Sequence, residues 1–195
     1  MIKSFSYNDS TQLTPHFNVS EFHCKCGKQH PTQLDTDLVE MLEKLYSTLN
    51  CSMIIINSGY RCESHDKKVG GNGFGQHTKG KAADIKCYDI NGVIISSRIV
   101  TCAAQDLGFG GISNIDETYT SCHVDIRPDT KWYGDETVTS LYSITDNFYK
   151  HWGLTQNDIY KTSFLPSPSP VPESVSVTIT INGTDYKGRL TQTDS

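Results

Sequence analysis

Three polar side chains in the middle of the chain have the types and spacing of a catalytic metal site. They are His77, Asp84 and His123. Imidazole nitrogens and a carboxylate oxygen suit Zn2+, and three protein ligands leave a fourth coordination position open for water. With two neutral imidazoles and one carboxylate, the site keeps a formal single positive charge, which can acidify water and polarise a carbonyl group. From composition alone the indication is weak, because a lone histidine is usually a surface residue or a satisfied core residue.

Predicted strands and a loop position these three residues. Asp84 and His123 fall within strands, and His77 follows the glycine-rich loop at residues 69–75. No Gly-Lys-Ser/Thr sequence follows that loop, so we interpret it as a surface loop beside a site and not as a phosphate cradle. Apolar and alternating patterns predict strands at residues 53–57, 82–87 and 118–126.

Helical periodicity predicts three helices around these strands. The first begins at a cap provided by Asp35 or Thr36 and runs to about residue 50, because leucines recur at the spacing of one helical face. The other two are predicted at residues 93–107, ended by Gly108, and at residues 141–152, ended by Gly153.

The composition changes abruptly after residue 164. Residues 165–173 are rich in proline and serine and are predicted to form an extended linker. The main domain is therefore expected to cover residues 1–164, with its motif-bearing core at about residues 17–135.

The last segment, residues 174–195, is predicted to be a β-hairpin. Apolar and polar residues alternate on both sides of an Asn-Gly turn at residues 182–183. This turn pairs Ile179 with Tyr186 and Val175 with Leu190. A two-stranded hairpin is marginal in water, so we expect it to pack on the main domain, on the target or on a second copy of the chain. A homo-oligomer formed through the hairpin is one of these expectations.

Length and charge limit the function classes. The chain has 195 residues, of which 17 are basic and 22 acidic, and a formal net charge of -5 at pH 7. This length fits one ordinary domain with an appendage, and without a basic stripe nucleic acid is a poor partner. No apolar run approaches the roughly 20 residues that cross a bilayer. The first residues lack a signal-peptide pattern, so the protein is expected to be cytoplasmic when made.

The seven cysteines are interpreted mainly as thiols, because their number is odd and the chain is long enough to fold without disulfides. Cys24 and Cys26, with His23 or His30, form a candidate for a small structural metal site. The single residue between the two cysteines is tighter than the usual spacing of zinc-binding cysteines, which favours free thiols. Whether Cys24 and Cys26 bind a metal stays open.

Three ordered motifs surround the candidate ligands. They are SGYR at residues 58–61, QHTKGKAADI at 76–85 and HVDIR at 123–127. Together they resemble the zinc D-alanyl-D-alanine carboxypeptidase family, which is related to the Hedgehog-type and LAS peptidases and includes bacteriophage endolysins. Residues 17–27, FNVSEFHCKCG, resemble the start of many phage-type members. The resemblance implies an α+β fold with a small antiparallel sheet flanked by helices.

The resemblance also implies a role for each motif. The two histidines and the aspartate would bind zinc, and Arg61 would hold the substrate or its developing oxyanion. A guanidinium suits this task because its fork stays charged and donates two hydrogen bonds. Ser58 and Tyr60, in the same motif, would contact the substrate. The alternative for Arg61 is a solvated or ion-paired side chain at a strand end.

The general base departs from the patterns of known relatives. Some relatives carry Glu or Asp three residues before the last zinc histidine, and others carry His two residues before it. Here these positions are Thr120 and Ser121, neither of which is a strong base near neutral pH. Asp125 is the candidate, because residues two apart on a strand share a face. The alternative is that Asp125 orients His123 or pairs with Arg127.

These observations predict a zinc metallopeptidase that hydrolyses stem or cross-link peptides of peptidoglycan. It would act as a D,D-carboxypeptidase or endopeptidase, in the setting of an endolysin or a cell-wall-remodelling enzyme. As an endolysin it would reach the wall after holin-type release. The alternative is a non-catalytic, zinc-containing module that binds the wall or forms part of a virion, and the missing base at residues 120 and 121 keeps this alternative open.

Overall fold

The computed structural model describes residues 1–128, 130–138 and 143–160, together with the backbone of residues 174–181 and 184–191. The chain divides into two compact units, Met1–Phe164 and Leu165–Ser195. The predicted linker at residues 165–173 lies outside the described residues. No helix in the described part of the chain is long and apolar enough to span a membrane.

Short strands and helices follow one another along the first unit. The strands are β1 (Ile2–Phe5), β2 (Thr32–Asp35), β3 (Met53–Ser58), β4 (Ala82–Tyr88), β5 (Gly111–Asn114), β6 (Cys122–Asp125) and β7 (Trp132–Asp135). The helices are α1 (Thr36–Thr48), α2 (Glu63–Lys68), α3 (Ser97–Leu107), α4 (Phe148–Trp152) and α5 (Gln156–Ile159), with a 3-10 turn at Val19–Phe22.

Strands β3, β4, β6, β5 and β7 lie side by side in that order and form a five-stranded sheet. Neighbouring strands are antiparallel, except that β5 and β7 are parallel. Strands β1 and β2 form a separate antiparallel pair. The predicted α+β class is confirmed, and the parallel β7 is a departure from the expected antiparallel sheet.

Helix α1 forms where the leucine periodicity predicts it. Asp35 is the N-cap, and its side chain accepts a hydrogen bond from the backbone N–H of Asp37. Leu38, Leu42 and Leu45 are fully buried in the core, and burial of each such side chain contributes about 1.5–3 kcal/mol to stability. The predicted helix therefore forms one wall of the core and packs against α3.

Helix α3 begins four residues later than the predicted start at residue 93. Ser96 is its N-cap, and the side chain of Ser96 accepts from the backbone N–H of Arg98. Ile94 instead forms an antiparallel bridge with Tyr88, so this apolar residue pairs with the last residue of β4. The end is as predicted, because Gly108 adopts the left-handed conformation that ends the helix.

Two other predicted elements are shorter in the structure. The strand expected at residues 118–126 is limited to Cys122–Asp125, because the side chain of Asp116 accepts from the backbone N–H groups of Thr118 and Thr120 and holds a turn there. The helix expected at residues 141–152 is Phe148–Trp152, capped by Asn147. Residues 141–142 lie outside the described part of the chain.

The second unit contains strands β8 (Ser174–Ile181) and β9 (Thr184–Thr191). They pair antiparallel, with Ile179 opposite Tyr186 and Val175 opposite Leu190. The predicted hairpin and its register are therefore confirmed. The predicted turn residues, 182–183, are outside the described backbone.

Candidate metal centre

The sheet places two of the three predicted ligands side by side. Asp84 on β4 and His123 on β6 are direct partners in the antiparallel register. Their side chains therefore leave the sheet on the same face, although they lie 39 residues apart in the sequence. Ser58, at the end of β3, pairs with Asp84 from the opposite side.

His77 reaches the same place from the loop before β4. Its Nδ1 lies 2.7 Å from the carbonyl oxygen of Gly59, to which it donates. This contact assigns the other nitrogen, Nε2, as the electron-pair donor. The carbonyl oxygen of His77 accepts from the backbone N–H of Arg61 at 3.2 Å. The segment that follows β3 therefore fixes both the position and the tautomer of His77.

The three donor atoms form a nearly equilateral triangle. His123 Nδ1 is 3.0 Å from Asp84 Oδ1, and His77 Nε2 is 3.2 Å from each of these atoms. Tetrahedral zinc with bonds of about 2.0–2.1 Å places ligand atoms about 3.3 Å apart. The side chains are 8 to 13% exposed. The donor set and its spacing fit Zn2+ with one position left over, and we call these three residues the histidine–aspartate centre.

The electrostatics of this centre are those of a cation site. Burial opposes ionisation of Asp84, but its contacts with His123 and His77 hold the pKa of Asp84 well below its usual range. Burial likewise disfavours the protonated form of His123, but Asp125 and Asp84 together raise the pKa of His123 to about 9. The surroundings of His123 therefore favour positive charge, which a metal ion supplies as well as a proton does.

Asp125 lies on the far side of the His123 ring from Asp84 and His77. Its Oδ2 accepts from His123 Nε2 at 3.1 Å, and its Oδ1 accepts from Arg127 Nε at 2.9 Å. Asp125 is fully buried. Burial acts against ionisation, but His123 and Arg127 keep the pKa of Asp125 below its usual range. Asp125 therefore orients His123 and pairs with Arg127, as in the alternative stated above, and its service as a base stays a prediction.

A glycine makes room for this carboxylate. Gly111 on β5 is the register partner of Asp125 on β6. A Cβ atom built on Gly111 would lie 2.0 Å from Asp125 Oδ2. Any side chain at residue 111 would therefore displace the group that orients His123.

Arg61 contacts the histidine–aspartate centre through Asp84. Its Nη2 pairs with Asp84 Oδ2, and its Nε donates to Ser58 Oγ at 2.8 Å. Nη1 is 3.5 Å from the buried carboxylate of Asp66. Oδ1 of Asp84 thus faces His77 and His123, whereas Oδ2 contacts Arg61. The ion-paired state of Arg61 is what the structure contains, and substrate binding by Arg61 stays a prediction.

A cleft of about 560 Å³ opens above the centre. Trp132 lines it and lies edge-on to the His123 ring, with 6.1 Å between the ring centroids. Tyr133, the residue after Trp132, is 2% exposed and belongs to the core. Besides the three residues of the centre, the polar and charged residues in the lining include Arg61, Asp66, Asn72, Gln76, Arg127 and Glu136.

Glu136 is a cleft residue that the sequence motifs do not reveal. It follows β7 directly, and its backbone N–H donates to the carbonyl oxygen of Asn114 at 2.9 Å. Its side chain is exposed, and partial burial in the cleft raises the pKa of Glu136. Glu136 reaches the cleft through the parallel pairing of β7 with β5, which no spacing rule in the motifs indicates.

Ser58 and Tyr60 are the other two residues of the Arg61 motif for which substrate contacts are predicted. Ser58 accepts the hydrogen bond from Arg61, and the Tyr60 ring lies edge-on to His30, with 5.9 Å between the ring centroids. Neither residue is among the described residues that line the cleft. Their predicted contact with substrate therefore remains a prediction.

The comparisons with known proteins agree with this geometry. No curated protein sequence matches the chain. The family model described as Peptidase M15 matches residues 15–125, more than half of the chain. The matched region contains all three residues of the histidine–aspartate centre, the Arg61 motif and Asp125. The chain belongs to the Peptidase M15 family.

Proposed function

We propose that this protein is a zinc-dependent peptidase that hydrolyses stem or cross-link peptides of peptidoglycan, as a D,D-carboxypeptidase or endopeptidase. Its membership of the Peptidase M15 family supports metallopeptidase chemistry. The observation that carries the proposal is the convergence of His77 Nε2, Asp84 Oδ1 and His123 Nδ1 within 3.2 Å at the floor of a cleft. Three ligands beside an open space are what a catalytic zinc site requires.

The residues around the centre have separate tasks in this proposal. His77, Asp84 and His123 would hold the metal ion, which when bound would acidify water and polarise the scissile carbonyl. Arg61 stays charged, and its guanidinium borders the cleft. It would donate to the developing oxyanion or to a carboxylate of the substrate.

Two carboxylates are candidates for the group that takes the proton from water and returns it to the leaving amine. Asp125 is the candidate from the sequence, but it is fully buried and its oxygens already accept from His123 and Arg127. Glu136 is exposed and lines the cleft, and its raised pKa brings it closer to neutral pH, which suits a general base. Its place in the cleft lining favours Glu136 as the base, and its contacts favour Asp125 as the residue that positions His123.

The proposed setting is that of an endolysin or a cell-wall-remodelling enzyme. The protein would be made in the cytoplasm and would act at the wall after holin-type release. The likeness of residues 17–27 to phage-type members of the family supports this setting. We also propose that the hairpin of β8 and β9 mediates a homo-oligomer, for which the test is light scattering with and without residues 165–195.

The activity is tested by mass analysis of muropeptides incubated with the purified protein. The expected result is a new amino group and the uptake of one water at a single type of peptide bond, which also identifies the bond. A chelator and the variant His123→Ala should each abolish the products. His16→Ala is a matched control, because His16 is an exposed histidine that pairs with Glu43 and does not line the cleft.

Binding to cell walls without any release of amino groups would contradict the proposal. That result would favour the alternative, a non-catalytic zinc-containing module of the wall or of a virion. The lack of a base at Thr120 and Ser121 is the observation that supports this second candidate.

A further inference from the structure

We propose that Cys24, Cys26, His30 and Cys62 bind a second zinc ion with a structural role. Their four donor atoms, three sulfurs and one imidazole nitrogen, all lie within 4.8 Å of one another. We call these four residues the cysteine cluster. This proposal does not depend on the proposed function, because it concerns metal binding outside the histidine–aspartate centre.

The spacing of the donor atoms fits a tetrahedral zinc ion. Zinc–sulfur bonds of about 2.3 Å place the sulfurs of such a site about 3.8 Å apart. In the structure Cys26 Sγ is 3.1 Å from His30 Nε2, and no pair in the cluster exceeds 4.8 Å. Shifts of a few tenths of an ångström to about 1 Å would bring all four atoms to bonding positions.

The imidazole of His30 is in the orientation of a metal ligand. Its Nδ1 donates to the carbonyl oxygen of Pro31 at 3.0 Å. This bond leaves Nε2 as the electron-pair donor, and Nε2 is the atom that faces Cys26 Sγ. Metal-binding histidines almost always donate their other N–H to a carbonyl or a carboxylate in this way.

Backbone N–H groups already point at two of the sulfurs. The N–H of Cys62 donates to Cys24 Sγ at 3.3 Å, and the N–H of Lys28 donates to Cys26 Sγ at 3.4 Å. Hydrogen bonds of this kind favour the thiolate, which is the form of cysteine that binds metals. A pair of thiols packed in an apolar core would not need these donors.

The remaining cysteines differ from the cluster. All seven cysteines lie in the described part of the chain and none is in a disulfide. The other four belong to the hydrophobic core, whereas Cys26, His30 and Cys62 are half-buried at the surface. One disulfide would join only two of the three sulfurs and would not involve the third sulfur or the imidazole. The residues outside the cluster are Cys51, Cys87, Cys102 and Cys122.

The sequence preference for free thiols depended on the short spacing of Cys24 and Cys26. That spacing is no obstacle here, because the third sulfur comes from Cys62, 38 residues after Cys24. Gly27 adopts a positive φ of 77°, which turns the chain back so that His30 faces the two cysteines. A local spacing rule therefore misses a site that the tertiary fold assembles.

The donor set predicts a closed, structural site. Four protein ligands leave no position for water, and three thiolates with one neutral imidazole leave a formal single negative charge on a zinc ion, which is a poor Lewis acid. The ion would join the loop after the 3-10 turn to the N-cap of α2, at Cys62. Arg61 is the neighbouring residue, so the second zinc would fix the backbone from which Arg61 reaches the cleft.

Metal analysis of the full-length protein tests this proposal. Protein from zinc-supplemented medium should contain two zinc ions per chain, and Cys26→Ser and His123→Ala should each contain one. Cys102→Ala is the matched control, since Cys102 is buried in the core away from the cluster, and it should keep two. A wild-type protein with one zinc ion that is lost in His123→Ala would overturn the proposal, as would two zinc ions in Cys26→Ser.

A cobalt spectrum keeps the test decisive if Cys26→Ser does not fold. In His123→Ala, which keeps every cysteine, bound Co2+ should give the intense near-ultraviolet absorption of cobalt–thiolate bonds. Absence of this absorption, or the loss of two reactive thiols to a disulfide that persists in chelator, would overturn the proposal. Neither readout involves peptide hydrolysis, so failure of the second site and failure of the peptidase activity are distinguishable.

Discussion

The histidine–aspartate centre and the cysteine cluster lie on either side of one short segment, and they offer the same metal two different environments. Gly59 and Arg61 contact the first, and Cys62 belongs to the second. The first has three nitrogen and oxygen donors at the floor of a cleft, and the second has four donors, three of them sulfur. The difference teaches that the number and softness of the donors decide whether a zinc site supports chemistry or only architecture.

The largest effect should come from removing a ligand of the histidine–aspartate centre. We expect His123→Ala to lower kcat/KM on muropeptides by about three orders of magnitude or more, because the metal loses its place beside the substrate. Loss of the zinc ion should also lower Tm, because a bound ion stabilises the folded state at either site, so loss of activity is the distinguishing result here. Activity within tenfold of wild type in His123→Ala would break the assignment of this centre.

A loss of stability with the histidine–aspartate centre left intact should follow from Cys26→Ser. When the free zinc concentration is about 1,000 times the dissociation constant, loss of the site removes about 4 kcal/mol from the free energy of unfolding. This loss lowers Tm by about 10 °C for a chain of this size. Calorimetry of Cys26→Ser against Cys102→Ala measures this difference. Equal Tm values for the two variants would contradict a structural metal in the cysteine cluster.

Kinetics at saturating zinc can distinguish the roles of Asp125 and Glu136, the two carboxylates near the histidine–aspartate centre. Asp125→Asn should weaken zinc binding by about 10–100-fold, because the partner of His123 Nε2 is changed, and excess zinc should restore most of kcat. Glu136→Gln should lower kcat by about 100-fold without a change in zinc content, as expected for a general base. If excess zinc does not rescue Asp125→Asn and Glu136→Gln is fully active, Asp125 is the base.

The smallest effect is a pH dependence confined to the histidine–aspartate centre. In the metal-free protein the pKa of His123 is raised to about 9, so below pH 9 zinc must displace a proton from this imidazole. The affinity for zinc should therefore fall by about tenfold for each pH unit below 9 while a single proton competes. Chelator competition between pH 6 and 8 with Cys26→Ser, which lacks the second site, measures this slope. An affinity independent of pH would show that His123 binds no proton there.

The sequence predicts the frame of the molecule well where the signal is local. The leucine spacing predicts α1, and the Asn-Gly turn predicts the hairpin register that the backbone of β8 and β9 shows. His77, Asp84 and His123 could be named because they lie in recognisable motifs, and the antiparallel pairing of β4 with β6 brings two of them together.

What the sequence does not predict depends on contacts between distant segments. Cys62 joins Cys24 only because the loop after the 3-10 turn folds against the start of α2. Glu136 lines the cleft only because β7 adds to the sheet parallel to β5. Neither contact is marked by a periodicity or a fixed residue spacing in the sequence, because each depends on packing between elements that are far apart in the chain.

The missing side chain of Gly111 limits how this enzyme can be changed. A library that samples every amino acid at residue 111 should return glycine almost alone when it is selected for activity, although Gly111 is not among the described residues that line the cleft. Even alanine would push against the carboxylate of Asp125, which His123 and Arg127 hold in place. The tolerance of this region to mutation is thus set partly by residue 111 on the neighbouring strand, which must leave the space beside it free for the carboxylate of Asp125.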